Sequence, residues 1–488
     1  MMKTKHRKYN KLFILCLMTL VGLNACKSSK VTQENQTLDL PRHFTVDADT
    51  SNSLASTNWE LFFEDEKLRH LIQIALENNQ EVQKTLERIK IAHADLRKAK
   101  AGRLPELNGI AGASVKRFGE YTMDGVGNAD TNISETVPDD KKLPSPYTDF
   151  IIGAEFKWEV DVWGKYKNRK KAAAARWMAT QEMSNSVNTW LIAEVANLYY
   201  ELSGLDEEIN ALEKNISNQQ LAFDLTKELK ASGKENQLAV DQFEAQVLNT
   251  RSLLIEKERE VYATEMALSK LLGTYPEEEI VREPLTQVNT QAEILKIGVP
   301  ANLVQYRPDI RMAERNLLAS KADVQVARAA FFPSINLFGM AGFNAFELSK
   351  LFLSPASTIY QAGAGLTAPI FNRKQIKTAM ETAKAKQKIA YLAYQETVLN
   401  SYLEVLSTLN NYQTLNKQLT LKAKEVAVQK RSIDNSNTMF SVGYANYLEV
   451  INSQSRALLA ELEYINLKKE QLQSVVKLYK SLGGGWIQ

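Results

Sequence analysis

Residues 165 to 230 and 374 to 439 contain no proline and a single glycine, Gly204. Both stretches are rich in Ala, Leu, Glu, Lys and Gln, residues that lose little side-chain freedom in a helix. About 65 residues of α-helix rise on the order of 100 Å. No ordinary globular core accommodates a helix of that length, so the two must pack side by side in a coiled-coil-like bundle. The rest of the chain agrees: only 12 Pro and 21 Gly occur among 488 residues, which favours long helices over a many-turned sandwich.

Each long stretch belongs to one half of an internal duplication. "GRLPELNGIAG" (102 to 112) and "FFPSINLFG" (331 to 339) make the same passage, from a charged helix through a proline into a short apolar run. Pro105 and Pro333 lie 228 residues apart, and that offset holds without a gap back through Asp95/Asp323 and Val82/Ile310 to Glu81/Asp309. Further on, "SGKENQLAVDQFEAQ" (232 to 246) matches "VGYANYLEVINSQSR" (442 to 456) at an offset of 210, which also carries Leu272-Gly273 onto Leu482-Gly483. A period this long marks duplicated halves, not a solenoid. Each half reads helix, strand, loop, strand, very long helix, turn, helix. The shorter helices span 65 to 101 with 235 to 272, and 309 to 330 with 446 to 482. Stacked end to end, such a pair roughly matches one long helix.

The strands carry a second signal. In "FIIGAEFKWEVD" (150 to 161), Phe150, Ile152, Ala154, Phe156, Trp158 and Val160 alternate with Gly153, Glu155, Lys157, Glu159 and Asp161. "IYQAGAGLTAPI" (359 to 370) alternates in the same way. Period two with one apolar face describes a half-buried strand. Charges on the other face suit a water-filled lumen and would be costly in a dry interior. A membrane barrel strand has this pattern and length, while a sheet on a soluble core is the alternative. The N-terminus decides between them. Lys3, Lys5, Arg7, Lys8 and Lys11 precede the apolar run "LFILCLMTLVGL" and then "NACKSS", the plan of a secretory signal too short to span a bilayer comfortably. "LNAC" resembles a bacterial lipobox with Cys26 as the lipidated residue; Cys16 falls in the segment removed. No other apolar run approaches the roughly 18 residues of a spanning helix, so a membrane crossing must use strands closed into a barrel. Four strands cannot close, since the smallest single-chain barrels have about 8; three copies would supply roughly 12. The polar loop from 119 to 147 is expected on the outer face.

"IGVPANLVQYRPDIRMAERNLLASKADVQVARAAFFPSINL" (297 to 337), the corners "FKWEVDVWGK" (156 to 165) and "PIFNRKQ" (369 to 375), and the C-terminal "LYKSLGGGW" (478 to 486) together resemble the outer-membrane factor (TolC-like) family, in its efflux lipoprotein branch. Nearly the whole mature chain is covered. The resemblance implies a mainly α fold with a membrane β-barrel: a trimer sharing a 12-stranded barrel, four strands per chain, above a long periplasmic α-helical barrel. It implies a passive exit duct for drugs, toxic compounds or metal ions. The implied partners are a periplasmic adaptor, an inner-membrane pump of RND type and outer-membrane lipid. It puts the periplasmic gate at Leu448 and Asn452, with Tyr447, Glu449, Arg456 and Asp241 close by. An acidic residue is usual where Asn452 stands, so an ion-pair latch is not available there. Gly233, Gly443, Asn236 and Asn446 mark hairpin tips suited to adaptor docking. Pro105, Pro333, Trp163, Gly164 and Phe371 mark the barrel-to-helix corners, where Arg373 and Lys374 replace the usual glycines.

The implied organisation is a signal peptide (1 to 25), a lipidated N-terminal and equatorial segment (26 to 64), a first repeat (65 to 273), an equatorial linker (274 to 302), a second repeat (303 to 483) and a tail (484 to 488). Other chemistry finds little support. Lys+Arg and Asp+Glu number 60 and 57, which leaves no basic excess for nucleic acid. The four histidines are scattered and no HExxH or CxxC spacing occurs, so neither a metal site nor a cofactor is expected, and no enzyme constellation is present. "GAGLTA" (363 to 368) lies inside a strand, the wrong context for a dinucleotide loop. The acidic run "PEEEIVREP" (276 to 284) reads as a solvated equatorial loop. Two rivals remain: a type I protein-secretion channel, and a periplasmic coiled-coil scaffold lipoprotein with no channel.

Overall fold

The structure is a computed structural model that describes residues 41, 44, 53–276, 280–285, 297–372 and 374–486. The signal segment, Cys26 and Arg373 lie outside the described residues. The order is α1 (Trp59–Phe62), α2 (Glu66–Asn78), α3 (Gln80–Ala101), β1 (Glu106–Lys116), α4 (Met123–Ile133), β2 (Tyr147–Val160), α5 (Lys165–Ala231), α6 (Gln237–Leu272), α7 (Pro300–Tyr306), α8 (Pro308–Ala329), β3 (Ser334–Ala345), β4 (Thr358–Thr367), α9 (Gln375–Ser441) and α10 (Tyr447–Leu482). The two long helices each contain 67 residues, about 100 Å. Among the described residues no helix is long and apolar enough to cross a membrane.

The strands form one antiparallel sheet in the order β1-β2-β3-β4. Gly153 faces Gly342 across β2 and β3. A Cβ on either would stand 2.6 Å or less from the opposite strand's backbone, so these glycines permit a close strand approach. Among the described residues no strand pairs with the outer edge of β1 or of β4. The helices repeat the strand order. α5 packs along α3, α6, α8 and α10, while α9 packs along α8 and α10. This gives four parallel rods: α3 stacked with α6, then α5, then α8 stacked with α10, then α9. Each rod leads into the strand of the same rank.

The stacked rods are joined by a lock that occurs twice. Asn79 caps α3 by accepting from the amides of Glu81 (2.8 Å) and Val82 (3.3 Å), and its Nδ2 donates to the carbonyl of Leu271 at the end of α6 (2.8 Å). At the equivalent place Arg307 donates to the carbonyl of Ser481 at the end of α10 (2.7 Å). Beside each lock a left-handed glycine ends the helix. Gly273 (φ 70°) abuts the Asn78 carbonyl, and Gly483 (φ 97°) abuts the backbone of Tyr306. The expected single helix from 65 to 101 is therefore two, broken at Asn79, because the Asn side chain serves both as cap and as rod joint.

The core lies at mid-length. Leu191, Val195, Tyr199 and Leu202 on α5 recur at helical spacing and are fully buried. They meet Leu68 and Ile72 of α2, Leu268 and Leu272 of α6, and Leu472 and Val476 of α10, with Trp59 and Phe63 of the N-terminal segment laid across them. Fully burying each such aliphatic side chain contributes about 1.5–3 kcal/mol. Tyr479 stacks on Phe62 (3.9 Å between centroids) and donates to the carbonyl of Thr57 (2.6 Å).

The loop from 119 to 147 includes a helix, α4, which Thr122 caps by accepting from the Gly125 amide (3.1 Å). The described part of the acidic run is solvated only in part: Pro276, Val281 and Pro284 are exposed, while Arg282 and Glu283 are half-buried. Arg282, with a side chain only 10% exposed, holds Asp206 (2.8 Å) and Glu265 (2.8 Å). Leu285 is buried and the Glu283 amide donates to the Tyr199 hydroxyl (2.8 Å). That hydroxyl donates to Asp65 (2.5 Å). Burial first, then the bond to Asp65, pushes the Tyr199 pKa up. The linker is thus pinned to the first repeat through a charge cluster.

Candidate functional site

The hairpin tips are built alike. In the first, Gly233 (φ 68°) follows α5, with its amide on the Lys230 carbonyl (2.9 Å) and the Lys234 amide on the Leu229 carbonyl (2.9 Å). In the second, Gly443 (φ 81°) and Tyr444 repeat the pattern on Phe440 (3.1 Å) and Met439 (2.8 Å). This is the double bond that closes a helix through a left-handed residue. A Cβ on Gly233 or Gly443 would meet nothing within 4 Å, so the positive φ alone requires glycine. Two residues after each turn's exit, an asparagine starts the return helix: Asn236 accepts from the Ala239 amide (3.0 Å) and Asn446 from the Glu449 amide (3.2 Å). Each tip is thus closed by backbone bonds on one side and by an asparagine cap on the other.

Beyond the second tip, Val450, Ser453, Gln454 and Ala457 of α10 are buried against α9, and Ser436 bonds Ser453 across the pair (2.6 Å). Leu448, Asn452 and Arg456, four residues apart, are exposed and share one stripe on the opposite side. Asn452 and Arg456 make no hydrogen bond or ion pair among the described residues. Glu449 stands apart from them: its carboxylate accepts from the Asn446 amide (3.1 Å), completing a capping box. Tyr447 is half-buried, and Asp241 is held by Gln237 (2.5 Å). Of the candidate gate residues, the fold thus brings Leu448, Asn452 and Arg456 into one free surface.

The corners between sheet and rods are assembled from both halves. Trp163 stacks on Phe332 (4.7 Å) and its Nε1 donates to the Pro333 carbonyl (2.6 Å). Asp161 caps α5 from outside by accepting from the amides of Tyr166 (2.9 Å) and Lys167 (2.7 Å). Glu159 holds Lys165 (2.9 Å) and the Tyr166 hydroxyl (2.8 Å). Of the four charges expected on the inner strand face, Glu159 and Asp161 therefore anchor the long helix, while Glu155 and Lys157 pair with each other (2.8 Å). Gly164 takes φ 71° just before α5, and Lys374, 210 residues on, takes φ 64° just before α9. Pro105 ends the approach to β1 but stays outside this cluster, and Phe371 is 88% exposed.

Sequence reasoning did not find the Arg307 hub. Arg307 donates to Asp309 (2.7 Å) and to Glu404 of α9 (2.7 Å) as well as to Ser481. Burial works against its charge, but the bonds to Asp309 and the nearby Glu404 raise its pKa. Arg311 pairs with Glu182 of α5 (2.6 Å) and lies over the Trp486 ring (4.9 Å), whose Nε1 donates to the Tyr306 carbonyl (2.8 Å). An arginine beside a helix-opening proline was the available signal. Among the described residues no group of three or more His, Cys, Asp or Glu is placed to hold a metal.

This architecture has close counterparts. Over residues 71–274 and 299–484 the chain matches the family model described as outer membrane efflux protein. It is 26% identical, over 98% of its length and 99% of the relative's, to the cation efflux system protein CusC of Escherichia coli O6:H1. It is 28% identical to the pyoverdine export outer membrane protein OpmQ of Pseudomonas putida, over 97% of each chain. Among solved structures, a CusC structure superposes with a TM-score of 0.78 at 25% identity, covering 91% of this chain and 97% of the other. The outer-membrane channel OprN shares the fold at a TM-score of 0.81 and 24% identity, covering 92% and 98%. With two locked repeats, four strands continued by four rods, and a match over most of its length, this chain belongs to the outer membrane efflux protein family.

Proposed function

We propose that the chain is the outer-membrane exit duct of a tripartite efflux system. Three copies close edge to edge. They conduct small molecules passively from an inner-membrane pump of RND type and a periplasmic adaptor to the exterior. One observation carries this reading: sheet and rods stop at the same two sides. β1 and the α3/α6 rod form one open side, β4 and α9 the other. A sheet with two bare edges has no stable end in lipid, because its unpaired amides and carbonyls find no water there. Joining unlike sides around a threefold axis satisfies barrel and helical tube in one step.

The duct needs no catalytic group. Its constriction is the stripe of Leu448, Asn452 and Arg456 at the periplasmic end, with Tyr447 beside it and Glu449 fixing the helix start. The adaptor docks on the tips at Gly233, Asn236, Gly443 and Asn446. Cys26 carries the lipid that anchors the chain to the outer membrane. The relatives' names range from cations to pyoverdine, so the cargo is chosen by the pump that feeds the duct. The mass of the detergent-solubilised mature protein, by light scattering corrected for detergent, tests the reading. A trimer is expected. A monodisperse monomer would leave the sheet edges unsatisfied and favour a coiled-coil scaffold.

A further inference from the structure

The outer end of the sheet carries two apolar patches that no described residue covers. On α4, Met123, Val126 and Ile133 are 89%, 59% and 81% exposed. At 100° per residue they fall within about 80° of one another, on one face. The helix is nonetheless well made: Thr122 caps its start, and near its end Asn132 donates to the Leu143 carbonyl (2.7 Å). The second patch, Leu348, Phe352 and Leu353, is 61%, 65% and 56% exposed. Its loop is held by Lys350 on the Asp140 carbonyl (2.9 Å) and by Ser357 on the Lys350 carbonyl (2.7 Å). Two ordered segments with bare apolar faces call for a partner.

Topology supplies it. α4 follows the outer end of β1, and the second patch precedes the outer end of β4. Those are the two open edges of the sheet. Within one chain they are separated by three strand spacings, about 14 Å, and both patches stay exposed. When β4 of one copy pairs with β1 of the next, the two strand ends come about 5 Å apart and the patches meet. Lys350 is already paired within its own chain with Glu347 (3.2 Å), so the apolar side chains, not a charge pair, carry the meeting.

We infer that α4 of each protomer docks on the Leu348–Phe352–Leu353 patch of the neighbouring copy, a seam that prolongs the β1–β4 pairing beyond the membrane at the outer mouth. The inference rests on the trimeric reading. The test joins Val126→Cys to Phe352→Cys in the full chain and applies a mild oxidant to intact cells. Disulfide-linked dimers and trimers, reversed by reductant and absent from either single variant, are expected. A trimer mass without cross-linked species, or only a disulfide within one chain, overturns the seam and leaves the duct reading intact; a monomer mass overturns both. A second variant, Met123→Ser/Val126→Ser/Ile133→Ser, should speed trimer dissociation in SDS at least tenfold. An unchanged rate counts against the seam, as does quenching of a fluorophore on Val126→Cys by nitroxide lipids.

Discussion

Replacing Arg307 by alanine should loosen the joint between α8 and α10 without unfolding the chain. The side chain is 12% exposed and makes three contacts of 2.7 Å, to Asp309, Glu404 and the Ser481 carbonyl. Breaking a buried ion pair costs about 3–5 kcal/mol. Here the abandoned carboxylates are about one-third exposed, 36% for Asp309 and 34% for Glu404, so water recovers part of that. A local loss of about 2–3 kcal/mol remains, since the Ser481 carbonyl also loses its donor. The other half of the molecule offers a control. Asn79 performs the same joint with a cap and one bond, so Arg307→Asn should recover about 1 kcal/mol relative to alanine. Hydrogen exchange of the backbone amides in the first turn of α8 and at the end of α10 reads the local opening. At 1.4 kcal/mol per tenfold, exchange should rise about 30- to 150-fold in Arg307→Ala and clearly less in Arg307→Asn. Less than a threefold change in the alanine variant would refute the ion-pair reasoning. Equal changes in the two variants would refute the equivalence with Asn79.

Gly483→Ala should cost about 2–3 kcal/mol, because φ is 97° and the new Cβ would sit 2.6 Å from the Tyr306 carbonyl carbon; a wild-type yield of folded trimer would contradict this. Lys374→Gly should stabilise by up to about 1 kcal/mol: a left-handed residue with a Cβ costs about 1–2 kcal/mol, and glycine's extra unfolded-state freedom returns part of it. A lowered denaturation midpoint for that variant would show that the lysine side chain outweighs its strain. Leu448→Gly and Asn452→Ala should widen the resting aperture, raising single-channel conductance and sensitivity to large antibiotics such as vancomycin; no change in either variant removes the gate from this stripe. Cys26→Ser should abolish palmitate labelling, and retained label would place the lipid elsewhere.

The long helices and the strands were legible because their signals are local. Uninterrupted helix formers gave 165 to 230 and 374 to 439, within two residues of Lys165–Ala231 and Gln375–Ser441. Alternation gave 150 to 161, against Tyr147–Val160. The joints were not legible, because each depends on residues that meet only after stacking. Asn79 in "ENNQE" looks like one more polar helix residue until the Leu271 carbonyl arrives beside it. Arg282 looks like a solvated charge until Asp206 and Glu265 close on it from α5 and α6. Asp161 continues the strand's alternation in sequence, yet the chain turns one residue earlier and spends the carboxylate on helix amides. At Lys374 the unusual residue was visible, but its meaning came from φ.

The two unlike open sides have a consequence in a cell that makes two versions of this protein. Every copy must offer a sound β1 side to one neighbour and a sound β4 side to the other. A copy damaged on one side only can still join a sound neighbour, and the ring it enters cannot close. With equal amounts of sound and one-sided copies combining at random, only about one ring in eight would contain sound copies alone. Such an allele would therefore be dominant, and the bacterium's permeability would be set less by how much sound protein it makes than by the fraction of copies it spoils.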